Sequence, residues 1–408
     1  MPPSYHDVEL NNQIINLKFE IYKRFIFMKS IYDATNPTII EHVSRIVKVN
    51  MVQVSASVDM KLGGPASVVI GINPYLDEHF SNKVLIFGNS DYIFPKSFVF
   101  PTIGNNRYGF FLNKRLLIAK DLLKNCEILL VHGFYLYSTI FAVLCSKTSK
   151  IFLMPHGSLE PYQESKSIFK KSLFKFVLKL TLRGRKLKFI VGSESEELNV
   201  RKLFPGHFVE TVGIGISNEI INNDLDSKIL GDQITLICYS RITQKKRIDL
   251  CIRALAELDR QGYNVVLRIV GAGEEKLSND LRALGQLLGI SSKIVFEGFV
   301  PNGKETQNIF RSADIFLLPS ENENFAVAVA ESIGYGVPVI VSKYVAMHKF
   351  VEEFKTGLTI SKLSVSNLTN AILEVKSNYS FYRENCVQSR KLLGWENVSN
   401  VWIEKLTT

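Results

Sequence analysis

The residues best able to do chemistry gather where short apolar runs end in the second half of the chain. The run Thr235–Tyr239 ends in Ser240-Arg241-Ile242-Thr243-Gln244-Lys245-Lys246-Arg247, and a helical pattern follows, with Ile248, Ile252, Leu255 and Leu258 at helical spacing. Two permanent cations at a strand-to-helix turn suit a phosphate: Arg241 holds two oxygens with its planar fork and Lys246 adds a point charge. The plainer alternative is a solvated basic helix start, although cations there oppose the helix dipole by about 0.3–1 kcal/mol. The run Ile315–Leu318 ends in Pro319-Ser320-Glu321-Asn322-Glu323-Asn324-Phe325-Ala326, followed by small apolar residues and Glu331. A helix is expected to begin near Asn324 or Phe325, and its free N–H groups and positive end make an anion site. Glu331 then lies about six residues inside, roughly 9 Å along the axis. A nucleotide with its diphosphate at the helix tip could place its ribose there, and a carboxylate accepts both ribose hydroxyl protons. Glu323, beside the tip, can do the same for a sugar hydroxyl. The plainer readings are a capping carboxylate and a surface glutamate, yet an unpaired carboxylate among small apolar residues is costly.

Other strand ends carry weaker signals. Gly271-Ala272-Gly273 after Val266–Val270 resembles part of a dinucleotide fingerprint but lacks the third glycine. Gly298-Phe299-Val300 ends Ile294–Glu297 and could lie beside a base. Turn chemistry explains both equally well. In the first half, Gly63-Gly64-Pro65 opens a helical pattern, with glycine allowing close approach to a ligand and proline suiting a first turn. His156-Gly157 ends the run Ile151–Pro155, and His132-Gly133 is the parallel case one strand earlier. A lone histidine is more often structural, but the end of a parallel strand is where ligands of such sheets bind.

The elements that must position these residues are short. Apolar runs at Val52–Ser55, Val84–Gly88, Ile128–His132, Ile151–Pro155, Phe189–Gly192 and Phe208–Val212 alternate with helical patterns, and so do Thr235–Tyr239, Val266–Val270, Ile294–Glu297, Ile315–Leu318 and Val339–Val341. Short Val- and Ile-rich runs between helices read as buried parallel strands. Two such series imply an α/β chain of two doubly wound domains. The expected boundaries are an extension over 1–50, a first domain over 51–216, a second over 217–385 and a terminal segment over 386–408. The polar stretch Ser217–Gln233 reads as the linker, and Ile39–Val49 as an amphipathic helix. Met28 and Met51 could each begin a shorter chain.

With 408 residues, 46% of them apolar and 22% charged, the chain is long enough for more than one domain and is not of disordered composition. Five scattered cysteines without a C-x-x-C favour a reducing compartment over a disulfide framework or a zinc site. No secretory leader is expected in the charged first fifty residues. The stretch Ile128–Cys145 is apolar enough to weigh as a membrane span, but a strand, turn and helix fit it better. The net charge is +10, and nine Lys or Arg fall between Ser165 and Lys188 without an acid. Lys171, Lys175 and Lys179 recur at i+4 among Phe169, Leu173, Phe176 and Leu180, the pattern of a helix on an anionic membrane surface; a solvated face is the plain alternative. No nucleic-acid-binding module accompanies the charge.

Taken together, Arg241-x4-Lys246, a Gly-x-Gly after the next strand, Phe-x-Gly-Phe-Val at 296–300, and Pro-Ser-x-x-Glu323-x7-Glu331 with Gly-x-Pro-Val behind it resemble the retaining, nucleotide-sugar-dependent glycosyltransferases of family four, the group one transferases, from Met51 to the C-terminus. The resemblance implies a GT-B fold, two Rossmann-like domains facing across a cleft, with a final helix around Trp395–Trp402 crossing back to the first. It implies that Arg241 and Lys246 bind the donor diphosphate, that Glu331 binds the ribose, and that Glu323 contacts the transferred sugar. It extends the donor site to Gly271, Phe299, Val300, Asn324, Phe325 and Ala326, and to Gly64 in the first domain. It implies that His156 contacts the sugar near its reacting carbon, with His132 a wall of the cleft. Asn324 and Ala326 stand where many members have glycine, and Ile214-Gly215-Ile216-Ser217 stands where Asn-Gly-Ile-Asp is usual. The expected activity is retaining transfer of a sugar from a nucleotide diphosphate donor to a hydroxyl of a lipid-linked or glycan acceptor. It is expected in cell-surface polysaccharide or glycolipid synthesis, on the cytoplasmic face of the membrane, without metal or cofactor. A dinucleotide-dependent oxidoreductase and a non-catalytic binding protein on the same fold are the alternatives. Base, sugar, acceptor and linkage are not written in the motifs.

Overall fold

The structure is a computed structural model that describes residues 48–59, 64–88, 90, 92–100, 116–164, 168–225, 228–301 and 303–408. The extension over 1–47, Gly63 and the start of the basic segment at 165–167 lie outside these residues. Only the end of the expected helix Ile39–Val49 is described: Lys48 and Val49 are not helical, and the Val49 carbonyl accepts the Ser81 N–H at 3.0 Å, leading directly into the first strand.

Two parallel sheets organise the described chain. The first holds β1 (Asn50–Ser55), β2 (Ser81–Ile86), β3 (Ser97–Val99), β4 (Ile128–His132), β5 (Lys150–Met154), β6 (Leu187–Val191) and β7 (Phe208–Thr211), in the order β3-β2-β1-β4-β5-β6-β7. The second holds β8 (Ile234–Tyr239), β9 (Val265–Val270), β10 (Ile294–Gly298), β11 (Ile315–Leu318), β12 (Val339–Ser342) and β13 (Gly357–Ile360), in the order β10-β9-β8-β11-β12-β13. Both are doubly wound, and each reverses its strand order once, between β1 and β4 and between β8 and β11. Ligands of such sheets bind beyond the carboxyl ends of the strands at that reversal. Eleven of the thirteen described strands coincide with the apolar runs; the two others, β3 and β13, are edge strands, where burial demands less apolar sequence.

Each sheet has its own core. Val54, Leu129, Val131, Leu153 and Phe189 are buried in the first, and Leu236, Leu267, Leu255 and Leu317 in the second. The chain divides into two compact units. One comprises the described residues through Val191 with Glu196–Val212 and Asn400–Thr408; the other comprises Gly192–Ser195 and Gly213–Ser399. The stretch Ser217–Gln233 is more than a linker. The helix Asn218–Ile221, capped by the Ser217 hydroxyl, buries Ile221 in the core of the second unit. The segment 386–408 is not a single helix either. A helix Tyr379–Ser389 and a short 3-10 turn precede the last helix, Trp395–Thr407, whose Trp395, Trp402 and Leu406 are buried.

Ile128–Cys145 folds as β4 and the helix Tyr137–Cys145, and no helix among the described residues is long and apolar enough to cross a membrane. The five cysteines are free thiols. The basic stretch corrects the expected lysine stripe. In the helix Ile168–Leu182, Lys175 pairs with Glu164 at 2.6 Å, and Lys171 lies 3.9 Å from the same carboxylate and 4.8 Å over the Tyr135 ring. Arg185 donates to the Val143, Ser146 and Thr148 carbonyls, tying down the end of the helix Tyr137–Cys145. The helix Ile168–Leu182 turns a different face outward. Phe169 is 83% exposed, Ile168, Leu173, Phe176 and Leu180 are exposed with it, and Lys170 and Lys179 flank them.

Candidate active site

β8 and β11 pair in parallel, Ile315 with Leu236 and Phe316 with Ile237, so the loops leaving their carboxyl ends are neighbours. Backbone and side-chain bonds join the two loops. The Glu321 N–H donates to the Lys245 carbonyl at 2.8 Å, the Ser320 hydroxyl lies 2.9 Å from the same oxygen, and Ser342 donates to the Ser320 carbonyl. The short turn Gln244–Lys246 ends at Arg247, whose φ of 54° reverses the chain into the helix Ile248–Arg260. Arg247 faces Asp249 at 3.0 Å and Glu321 at 3.1 Å and so belongs to the scaffold.

That scaffold brings two predicted residues into direct contact. Lys246 Nζ lies 2.8 Å from Glu323 Oε1, with Lys245 Nζ at 3.4 Å from the same atom and the Ser320 hydroxyl at 3.0 Å. Both side chains of the closer pair are nearly enclosed, at 12% and 11% exposure. Burial pushes the Glu323 carboxyl up, but Lys246, Lys245 and the hydrogen bonds it accepts outweigh this and hold it below its ordinary value. Burial lowers the Lys246 ammonium, helped by Lys245 and Arg241 and opposed by Glu323. At 2.8 Å the two form an enclosed, poorly solvated ion pair, and a second anion arriving beside Lys246 would find a cation already stripped of water. Arg241 is exposed, and its side chain has no ion-pair partner among the described residues.

The helix after β11 runs over Val327–Gly334, shorter than expected from a start near Asn324 or Phe325. The reason lies in the backbone: Ala326 takes a left-handed conformation at φ 68°, so the helix cannot extend back through it. Glu331 is therefore only four residues beyond the first helical residue, about 6 Å along the axis. No side chain caps this helix, which removes the capping role considered for Glu323. Asn324 and Phe325 sit half-buried in the connecting loop. Desolvation lifts the Glu331 carboxyl to about 7. Below it, Phe310 stacks on Tyr335 at 5.1 Å and lies 5.0 Å from Tyr239. Burial, and also the charge of Glu331, raises the hydroxyls of Tyr239 and Tyr335.

Phe299 is exposed just after Gly298 at the end of β10, an aromatic face free to stack, whereas Val300 is buried in the core. Gly271 and Gly273 have a structural reason to be glycine. The Ser240 N–H donates to the Val270 carbonyl and the Ile242 N–H to that of Ala272, carrying the β8–β9 pairing past both strands. A Cβ at Gly271 would overlap the Ser240 carbonyl oxygen and one at Gly273 that of Ile242. The two glycines let the cationic loop lie flat on its neighbour, which explains them without a dinucleotide.

In the first unit, Gly64 begins the helix Gly64–His79 with Pro65 in its first turn. His156 follows β5 with φ 53°, and Gly157 continues at φ 74°. The His156 and His132 rings stack at 5.3 Å, with His156 Nε2 3.1 Å from His132 Nδ1. Burial lowers His156 to about 4 and His132 well below its ordinary value, the latter with help from His156. Both rings are neutral at neutral pH. The sequence pattern does not single out Lys245 and Ser320, though both lie in the motifs around Arg241 and Glu323, nor Gln53, whose Oε1 lies 3.2 Å from His132 Nε2 and whose amide inside an apolar strand is the available clue.

The sequence profile of the Glycosyl transferases group 1 family matches residues 221–391. Curated relatives include the glycosyltransferase MJ1607 of Methanocaldococcus jannaschii, 27% identical over 44% of this chain and 46% of that protein. They also include CapJ of Staphylococcus aureus, 24% identical over 65% of this chain and 67% of that protein. A GDP-mannose-dependent phosphatidylinositol monomannoside mannosyltransferase of Mycolicibacterium smegmatis is 29% identical over 35% of this chain and 38% of its own length. The matched stretch thus spans from about two-fifths to two-thirds of these relatives. Among solved structures, WaaG, a glycosyltransferase involved in lipopolysaccharide biosynthesis, superposes with a TM-score of 0.65 at 14% identity, over 88% of this chain and 99% of that one. Anabaena HepE with UDP and glucose superposes at 0.68 and 16%, over 88% and 100%. Carried by a profile over the second unit and by a fold shared along most of its length, the chain has the GT-B fold, and its second unit belongs to the group 1 glycosyltransferases.

Proposed function

We propose that this protein transfers a sugar, with retention of configuration, from a nucleotide diphosphate donor to a hydroxyl of a lipid-linked or glycan acceptor in cell-surface polysaccharide or glycolipid synthesis. The observation that carries the reading is the meeting of the β8 and β11 loops. There Arg241, Lys245 and Lys246 form a cationic rim beside the helix Val327–Gly334, and the Glu331 carboxyl stands one turn inside. Arg241 and Lys246 take the diphosphate, Glu331 the ribose, Phe299 the base and Glu323 a hydroxyl of the transferred sugar. Asn324, Phe325 and Ala326 form the loop beside the phosphates.

In the transfer, the bond from the anomeric carbon to the diphosphate oxygen breaks and its electron pair leaves with the phosphate. Cations already in place stabilise that charge without reorganising. The acceptor oxygen bonds the same face of the sugar, and its proton passes to the departing phosphate oxygen. Three cations at one loop do the electrostatic work of a metal ion, so transfer is expected to survive excess EDTA; loss restored by magnesium or manganese would contradict this. The names of relatives agree with the donor class: one is GDP-mannose-dependent, and HepE was solved with UDP-glucose.

The exposed stripe Ile168, Phe169, Leu173, Phe176 and Leu180, flanked by Lys170 and Lys179, supports binding to an anionic membrane surface, where a lipid-linked acceptor would be met. The deciding experiment is thermal denaturation with UDP, GDP, ADP and their sugars. A ligand at a hundred times its dissociation constant adds about 2.7 kcal/mol. The expected result is stabilisation by one base family, lost in Arg241→Ala; no response to any of them would overturn the proposal.

A further inference from the structure

The first unit contains a continuous line of buried polar side chains that the transfer chemistry above does not use. It begins at His156 and His132. His132 Nε2 lies 3.2 Å from Gln53 Oε1. Gln53 Nε2 reaches Asn73 Oδ1 at 3.0 Å and Asn82 Oδ1 at 3.2 Å, and Asn82 Nδ2 reaches Asn73 Oδ1 at 2.9 Å. The line ends at a carboxylate: Asn73 Nδ2 lies 3.3 Å from Asp77 Oδ2 and Asn82 Nδ2 lies 3.1 Å from Asp77 Oδ1. Gln53, Asn73, Asn82 and His132 are all buried, so a wrongly turned amide has no water to appeal to and leaves unmet donors or acceptors.

Amide and imidazole orientations follow from what each neighbour can give. A carboxylate only accepts, so Asn73 and Asn82 must both turn their NH2 groups to Asp77. Their oxygens then face Gln53, which must answer with its NH2. The Gln53 oxygen is left facing His132, which must hold its proton on Nε2. His132 Nδ1 is then a bare lone pair, and the group 3.1 Å away, His156 Nε2, must carry the proton. His156 Nδ1 is left unprotonated.

We infer that Asp77, acting through Asn73, Asn82, Gln53 and His132, fixes His156 in the tautomer that offers a lone pair, so that His156 accepts a hydrogen bond from a substrate hydroxyl and donates none. This rests on the reading of His156 as a group that touches the transferred sugar. Asp77, Gln53 and His132 are positioning residues. The consequence is a specificity rule. A sugar presenting a hydroxyl to His156 is favoured, whereas one presenting a carboxylate or carbonyl oxygen there meets lone pair against lone pair.

The test is a long-range proton–nitrogen correlation spectrum of full-length protein labelled with 15N-histidine, read together with turnover. In the parent, both rings should carry the proton on Nε2. Asp77→Asn keeps the shape but offers one acceptor oxygen in place of two, so one amide must turn. Gln53→Met cuts the line in its middle. Each should shift the His156 signals to a mixture of tautomers and lower kcat about tenfold, the worth of one misdirected hydrogen bond, with nucleoside diphosphate affinity unchanged. A proton on His156 Nδ1 in the parent overturns the inference even if neither variant folds. So do parental tautomers in both variants, or parental turnover despite changed tautomers. The spectrum needs no substrate, so a protein with the derived tautomers and no transferase activity would sink the proposed function while leaving the orienting line in place.

Discussion

The two units treat buried polarity in different ways. Beyond β8 and β11 the second unit keeps ions: Lys246 and Lys245 against Glu323, with Arg241 outside them. In the first unit two neutral imidazoles at the ends of β4 and β5 lead into three amides on β1, β2 and the helix Gly64–His79, with Asp77 at the far end of the line; the other carboxylate beside the imidazoles, the buried Glu196, accepts the Gly157 N–H. The difference follows from what each arrangement can do. Paired ions exchange partners at modest cost when a new charge arrives, which suits a ligand carrying a diphosphate. A neutral chain holds a direction, because reversing any member leaves another unmet. One arrangement adapts to charge and the other imposes geometry.

The sharpest way to break this contrast is at the ion pair. Lys246→Ala leaves Glu323 charged and enclosed with only Lys245 nearby. Breaking a buried pair from one side costs about 3–5 kcal/mol, and the low end is expected because Lys245 stays. Donor binding should be lost as well. Replacing both partners, Lys246→Met with Glu323→Met, should restore most of the stability and none of the transfer. Urea denaturation and calorimetry separate the two effects. An unchanged unfolding midpoint in Lys246→Ala would mean that the pair is solvated and the contrast false.

Opposite pH slopes come next. His156 and His132 are lowered by burial, His156 to about 4. The unfolded chain therefore binds protons that the native state refuses, and stability falls as pH drops from about 6.5 towards 4, by at most about 1.4 kcal/mol per unit for each histidine. Glu331, raised from 4.5 to about 7, does the reverse: the native state keeps a proton the unfolded chain has lost, so stability falls as pH rises through that window. His156→Gln should reduce the first slope to the share of His132 and Glu331→Gln should flatten the second, each leaving the other in place. If the ribose needs the ionised Glu331, nucleotide affinity should also weaken below pH 7 in the parent and not in Glu331→Gln.

A smaller effect belongs to Arg241. Because it is exposed, Arg241→Ala should leave the melting temperature alone and cost about 1.5–3 kcal/mol of nucleoside diphosphate affinity, the worth of hydrogen bonds to a charged group. A fall in stability without a fall in affinity would move Arg241 from the site to the scaffold.

How much of this was legible depended on whether the signal was local. Strand runs such as Ile315–Leu318 and Ile128–His132 are written in consecutive residues, and so is the cationic loop after Tyr239. The meeting of Lys246 with Glu323 joins residues far apart in sequence, so pattern alone put them on separate parts of a ligand. The start of the helix Val327–Gly334 moved because Ala326 adopts a positive φ that its residue type does not advertise. The orienting line draws on β1, β2, β4 and one helix. Its only local trace is a glutamine inside the apolar strand Asn50–Ser55 and an asparagine inside the apolar helix Gly64–His79, each an oddity that burial makes expensive to leave unpaired.

The smallest expected effect tests whether the first unit shows charge to the outside at all. The lysines of the helix Ile168–Leu182 share one spacing, and spacing alone made them equivalent. The structure divides them: Lys171 and Lys175 lean on Glu164 and the Tyr135 ring, whereas Lys179 is exposed beside the apolar stripe. A basic residue near an anionic surface is worth about 1 kcal/mol. Lys179→Gln should therefore weaken binding to phosphatidylserine vesicles about fivefold, with the loss shrinking as salt is raised. Lys175→Gln should leave vesicle binding close to parental and lower the melting temperature slightly, since it strips Glu164 of its nearer lysine. Phe169→Ser with Phe176→Ser should reduce vesicle binding at every salt concentration, because it removes apolar area instead of charge. Equal losses from Lys175→Gln and Lys179→Gln would return the two lysines to one outward stripe, and the first unit would then offer charge at its surface much as the second does at its loops.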